Sequence, residues 1–94
     1  PIYIMNLRVF KKDIDFLTED FLSDALISMG FAREESKREK ILDIINEAID
    51  LRDDTYSKIN HPESGNLKAY YRNTTEEFLK SLDALCEKLG EAIK

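Results

Sequence analysis

Apolar residues recur at intervals of three and four along most of this chain, which is the pattern of amphipathic helices. One such stripe predicts a first helix over residues 12–29, and its members are Ile14, Leu17, Phe21, Ala25 and Met29. Similar spacing predicts a second helix over residues 33–60, which contains no Gly or Pro, and a third over residues 62–93. The chain is therefore expected to be all-α.

The break between the second and third helices is expected at Pro62, which lacks an N–H donor and suits the first position of a helix. Thr74 followed by Glu77 is a candidate capping box that would divide the third helix. Thr74 stays in phase with Tyr71 and Phe78, however, so one long helix is expected. Three helices with short connections predict an antiparallel, up-down-up bundle in one domain, with the two longer helices forming a hairpin.

The N-terminal segment, residues 1–11, is predicted to be extended, because every second residue from 3 to 9 is apolar. The predicted first helix is too short to cover the hairpin, and this segment is the natural cover. A lone strand also needs a partner for its backbone groups, and a second copy of the chain provides one. These considerations predict a homodimer. The predicted partner-binding residues, including two from the hairpin end, are Tyr3, Met5, Leu7, Val9, Tyr70 and Tyr71.

Tyr70 and Tyr71 are assigned to that surface because aromatic residues beside an arginine, here Arg72, are common at interfaces. Adjacent helical residues point about 100° apart, so at most one tyrosine is expected squarely in the core. The competing interpretation is that they pack inside the hairpin end against Tyr56 and Ile59.

Composition narrows the function classes. A hydrophobic fraction of 43% argues for a folded chain, and a net charge of -5 argues against a nucleic-acid partner. No apolar run approaches the roughly 18 residues of a membrane span, so no membrane association is predicted. The single cysteine, Cys86, favours a reducing compartment, and we predict a cytoplasmic protein. Met5 is an alternative start of the natural chain.

Few residues are candidates for catalysis or metal binding. His61 is the only histidine, and its neighbours Asp53, Asp54 and Glu63 make an acid–base site conceivable. We favour a plain polar residue at a helix end, because no nucleophile or phosphate-binding loop accompanies it. One histidine and one cysteine also provide no zinc or di-iron ligand set. Neither enzymatic activity nor a cofactor is predicted.

Two further features have structural interpretations. An acidic stripe on the second helix is interpreted as a solvated face, with docking of a basic partner as the alternative. Its residues are Asp43, Glu47, Asp50 and Asp54. Cys86 follows Leu82 and Leu85 on the third helix, and we expect a buried thiol with a raised pKa.

The stretch "LISMGFAREESKREKIL" resembles the first helix, Met-Gly-Phe loop and second-helix start of the ubiquitin-associated domain. The resemblance covers about a sixth of the chain, and it implies a ubiquitin-binding surface that includes Met29, Gly30 and Phe31. The family's second helix is short, whereas the apolar period here continues unbroken. The same residues also fit a helix end, with Gly30 left-handed and Phe31 packed on Leu26 or Ile27.

We therefore predict a small non-catalytic protein–protein interaction or structural module that self-associates. Two alternatives are a ubiquitin-binding adaptor that uses Met29, Gly30 and Phe31, and a small enzyme with a site near His61.

Overall fold

Three helices make up the fold. The computed structural model describes the backbone of residues 2–62 and 65–94, and the side chains of residues 10–62 and 65–94. The helices are α1 (Ile2–Phe31), α2 (Glu35–Asn60) and α3 (Leu67–Ala92). The predicted all-α, three-helix bundle is confirmed.

Contacts between side chains establish the antiparallel order. Lys11, in the first half of α1, donates to the Asn60 side chain at the end of α2 over 2.8 Å. Lys58 of α2 lies 3.3 Å from the Glu77 carboxylate in the first half of α3. The bundle is long and narrow, with Cα extents of 50 × 19 × 16 Å.

One apolar stripe from each helix forms the core. α2 lies between the other two helices and packs closely on both, whereas α1 and α3 contact each other much less. The buried apolar residues are Ile14, Phe21, Ala25, Ile41, Ile44, Ile45, Ala48, Ile59, Phe78, Leu82, Leu85, Leu89 and Ala92. These positions follow the 3–4 periodicity from which the helices were predicted.

The prediction of an extended segment over residues 1–11 is wrong, because α1 begins at Ile2. Residues 2–10 are nearly all apolar, so their pattern fits a period of two and a period of 3.6 equally well. A helix satisfies its own backbone N–H and C=O groups, whereas a lone strand leaves them unpaired. With 30 residues, α1 is longer than α2 and α3 and not shorter as predicted.

The α1–α2 connection also differs from its prediction. Gly30 is not left-handed, and the only positive φ among the described residues is at Gly65. α1 therefore continues to Phe31, whose side chain is 83% exposed and not packed back on the helix. Arg38 closes the connection, because its Nε donates to the Ala32 carbonyl over 2.9 Å.

The α2–α3 loop delays the start of the third helix from Pro62 to Leu67. Gly65 has φ 120°, a conformation that interrupts a right-handed helix and that only glycine adopts without strain. Asn66 then caps α3 by accepting from the Ala69 N–H over 3.2 Å. Thr74 does not start a separate helix, since its hydroxyl donates to the Tyr70 carbonyl within α3.

Candidate interaction surface

The two predicted tyrosines fasten α3 to the end of α2. The Tyr70 hydroxyl donates to the Lys58 carbonyl over 3.0 Å, and the Tyr71 hydroxyl donates to the Ile59 carbonyl over 3.4 Å. Their rings pack edge to face with centroids 5.7 Å apart. Both side chains are half-buried. These carbonyls lie in the last turn of α2 and lack partners within the helix. The two tyrosine hydroxyls supply those partners and so stabilise the end of the hairpin.

The other predicted contact residues, Tyr3, Met5, Leu7 and Val9, have side chains outside the described residues. The backbone places these four positions in the first turns of α1. Lys11 reaches Asn60, the last residue of α2, and Phe10 packs against the core, so the first turns of α1 lie at the end of the bundle where α2 ends. These four positions are therefore helical and not extended as predicted.

An apolar surface that the sequence interpretation missed lies on α1. Among the described residues, eight large hydrophobic side chains are exposed, and four of them belong to this helix. They are Phe16, Leu26, Ile27 and Phe31, which are 68%, 54%, 56% and 83% exposed. Phe16 and Ile27 are eleven residues apart, which is three helical turns, so they lie on the same side of α1. The spacing of these two residues is the feature of the sequence from which the surface could have been predicted.

The part of α1 that follows Lys12 carries only negative charge. Residues 13–32 contain five carboxylates and no Lys or Arg. Asp15 accepts a hydrogen bond from the Tyr56 hydroxyl of α2, whereas Asp13, Asp20 and Asp24 form no ion pair with any described residue. Phe16 and Ile27 therefore lie among exposed carboxylates, whereas Phe31 shares a cavity with Arg33 and Lys37.

Tyr56 links α1 to α2 at the level of the Asp15 contact. Partial burial, followed by the hydrogen bond to the Asp15 carboxylate and its negative charge, raises the pKa of Tyr56 to about 12. The neutral phenol is favoured because ionisation would place a second negative charge beside the Asp15 carboxylate in a partly desolvated site. This contact explains the raised pKa as part of helix packing, with no substrate needed.

A shallow cavity of about 450 Å³ lies at the end of the bundle where α1 meets α2. Phe31 and Ile93 supply its apolar surface. The complete lining consists of Ser28, Phe31, Ala32, Arg33, Glu34, Lys37 and Ile93. Only Phe31 of the Met-Gly-Phe phrase takes part, because Met29 is half-buried and packs against the core.

His61 is exposed, and its side chain forms no hydrogen bond or ion pair with a described residue. Asp53 pairs with the neighbouring Arg52 over 3.2 Å, and Glu63 lies outside the described residues. Among the described residues, no three His, Cys, Asp or Glu side chains are grouped to hold a metal ion. No acid–base pair assembles around His61 in this part of the chain.

The acidic stripe on α2 is exposed, and two of its four carboxylates are paired. Glu47 lies 3.0 Å from Lys88 of α3, and Asp54 lies 3.4 Å from Lys58. The Glu77 and Asp54 carboxylates raise the pKa of Lys58. Glu47 supports the contact between α2 and α3, and the stripe is less free for a partner than the carboxylates of α1.

Cys86 is exposed, so its predicted burial is wrong. Leu82, Leu85 and Leu89 point into the core, and position 86 is rotated about 100° from Leu85 toward the edge of that stripe. The predicted rise in pKa does occur. Partial desolvation contributes most, and the Asp83 and Asp24 carboxylates add to it.

Comparison with known protein families, curated proteins and solved structures finds no match for this chain. The described helices also contain no run that is long and apolar enough to cross a membrane. α2 continues without a break for 26 residues, which departs from the short second helix of the ubiquitin-associated domain.

Proposed function

We propose that this chain is a non-catalytic protein–protein interaction module that self-associates through the first turns of α1. The supporting observation is that α1 begins at Ile2, two turns before Lys11, which reaches the last residue of α2, and that six of the eight residues 2–9 are apolar. A helix that is apolar on all sides is typically buried.

A second copy of the chain is the proposed occupant, because each copy supplies an identical apolar helix and the two can bury one another. Full burial of a large apolar side chain contributes about 1.5–3 kcal/mol. Association costs on the order of 4–15 kcal/mol in lost freedom. Three side chains buried per copy therefore supply roughly 9–18 kcal/mol, which is enough to offset this cost over most of its range.

Sedimentation equilibrium over a wide concentration range tests this proposal. The wild-type chain should dimerise, and the double substitution Met5→Asp with Val9→Asp should shift the equilibrium to monomer. Leu79→Asp is the matched control, since Leu79 is 47% exposed on α3 and receives the same change. Circular dichroism confirms that each variant stays helical. A wild-type chain that is monomeric at every concentration contradicts the proposal, as does a double variant that associates like wild type.

The exposed Phe31 favours a second candidate function, the ubiquitin-binding adaptor. Titration with ubiquitin should then give saturable binding that Phe31→Ala abolishes. Ile93→Ala, in the same cavity and 50% exposed, is the control for nonspecific loss of apolar surface. Absence of binding by the wild-type chain removes this candidate and leaves the self-association proposal untouched.

The proposed setting is the cytoplasm. A single cysteine cannot form an intramolecular disulfide, which suits a reducing compartment. The net charge of -5 disfavours nucleic acid as a partner.

A further inference from the structure

A continuous stripe of exposed residues runs along the side of α1 that faces away from the core. Its members follow one another at intervals of three or four residues, and we name it the outer stripe. It comprises Asp13, Phe16, Asp20, Asp24, Ile27 and Phe31, all of which are exposed. At 1.5 Å per residue the outer stripe is about 27 Å long. This side of α1 is bare because α2 and α3 both pack on its opposite side.

The outer stripe combines two features that point to a binding partner. Phe16 and Ile27 are 68% and 56% exposed, so the stripe carries apolar area that water solvates poorly. The three aspartates form no ion pair with a described residue. Apolar anchors that alternate with unpaired carboxylates are complementary to an apolar surface that carries positive charge.

We propose that the outer stripe docks a basic amphipathic helix. The apolar side chains of such a helix would contact Phe16 and Ile27, which are about 16 Å apart along α1. Its Lys or Arg residues would flank those contacts and pair with Asp13, Asp20 and Asp24. Amphipathic helices commonly dock in hydrophobic grooves, where apolar anchors provide affinity and charges set the register. Here the helix would dock on an exposed helix face instead of in a groove.

Charge distinguishes this occupant from a second copy of the chain. Two outer stripes placed against one another would bring six aspartates together, and Lys12 is the only cation of α1 after Lys11. Like charges in an interface are repulsive, so self-pairing through this face is disfavoured. The self-association proposed above uses residues 2–10 and not the outer stripe. The two proposals therefore stand or fall separately.

Fluorescence anisotropy with two synthetic amphipathic helical peptides tests the proposal. One peptide contains Leu and Lys, and the other is identical except that Glu replaces every Lys. The full chain should bind the Leu/Lys peptide in a salt-sensitive manner and should not bind the Leu/Glu peptide. Equal binding of both peptides overturns the proposal, and so does failure of the Leu/Lys peptide to bind at millimolar concentration.

Substitutions locate the site. Phe16→Ser combined with Ile27→Ser should weaken binding of the Leu/Lys peptide by about tenfold or more, because anchor side chains dominate interface energy. Leu79→Ser, on the exposed side of α3, is the apolar control and should leave the Kd unchanged. If the control loses as much affinity as the double variant, the peptide binds elsewhere and the proposal fails.

A charge reversal separates the electrostatic contribution. Asp20→Lys should weaken binding of the Leu/Lys peptide and flatten its salt dependence, whereas Glu87→Lys on α3 should change neither. Repeating the measurement on the Met5→Asp, Val9→Asp double variant shows whether binding requires self-association. Retained binding there supports an independent outer stripe, and lost binding contradicts it.

Discussion

Thr18 carries the one buried side-chain polar atom that lacks a hydrogen-bond partner among the described residues. The side chain is 1% exposed, at the centre of the α1 core stripe. Two other threonines are nearly as buried, but each donates its hydroxyl to a backbone carbonyl one turn earlier. Thr55 donates to Leu51 over 2.7 Å, and Thr74 donates to Tyr70 over 2.9 Å. Thr18→Val is therefore expected to stabilise the fold.

The expected magnitude follows from the unmade hydrogen bond. A hydroxyl buried without a partner costs about 1–3 kcal/mol relative to its hydrated state. Valine has nearly the same shape and a similar helix propensity, so the substitution removes the hydroxyl without opening a cavity. We expect the free energy of unfolding to rise by about 1–2 kcal/mol. For a chain of this size, each kcal/mol corresponds to about 4–8 °C in Tm.

Thr55→Val and Thr74→Val are the matched controls, because each makes the same chemical change at a buried helical threonine. Each removes a formed hydrogen bond, whose net contribution is about 0.5–1.5 kcal/mol. These two variants should be no more stable than wild type. The predicted order therefore places Thr18→Val above wild type and the two controls at or below it.

Urea denaturation followed by circular dichroism measures this order. All four proteins should be compared at one concentration, since self-association would add to stability. Equal m-values are required for the midpoints to report stability alone. If Thr18→Val is neutral or destabilising like the controls, its hydroxyl has a partner in solution and the core packing at Thr18 differs from the one described.

Three further predictions concern the remaining features. Tyrosinate absorbance should show one phase with a pKa of about 12 that Tyr56→Phe removes. Because this folded pKa exceeds the ordinary value near 10, the stabilisation by neutral Tyr56 is complete below pH 10 and is lost as the pH rises toward 12. Cys86 should react with a thiol reagent in the folded state, but slowly at neutral pH. Asp83→Asn should speed the reaction about threefold by removing one nearby negative charge. An unchanged rate would show that the Asp83 carboxylate does not affect the thiol. Gly30→Ala should stabilise the fold by about 0.5–1 kcal/mol because Gly30 is helical, whereas Gly65→Ala should destabilise it by about 1–2 kcal/mol because of its positive φ. Chemical denaturation measures both changes. If Gly30→Ala destabilises the fold, Gly30 is left-handed and ends α1 as the sequence predicted.

The helices and most of the core were predictable from the chain, because helical periodicity is a local property. The predicted bounds of α2, residues 33–60, differ from the observed bounds by only two residues at the start. The N-terminal segment was not predictable, since nearly uniform apolar residues give no period to distinguish helix from strand. Its backbone hydrogen bonding decides in favour of the helix. Gly30 was misassigned for a related reason. Glycine permits a left-handed turn without requiring one, and only the course of the backbone shows that α1 continues to Phe31.

The interaction surface depended most on tertiary structure. The outer stripe can be recognised in the sequence as acidic and apolar positions at helical spacing. The sequence does not distinguish an exposed Phe16 from a buried one, however. α2 and α3 both pack on the side of α1 that carries Ile14 and Phe21, which leaves Phe16 and Ile27 in solvent. The spacing of apolar residues is enough to predict three amphipathic helices. Tertiary packing decided which side of α1 stayed open, because a side chain's exposure depends on neighbours that are distant along the chain.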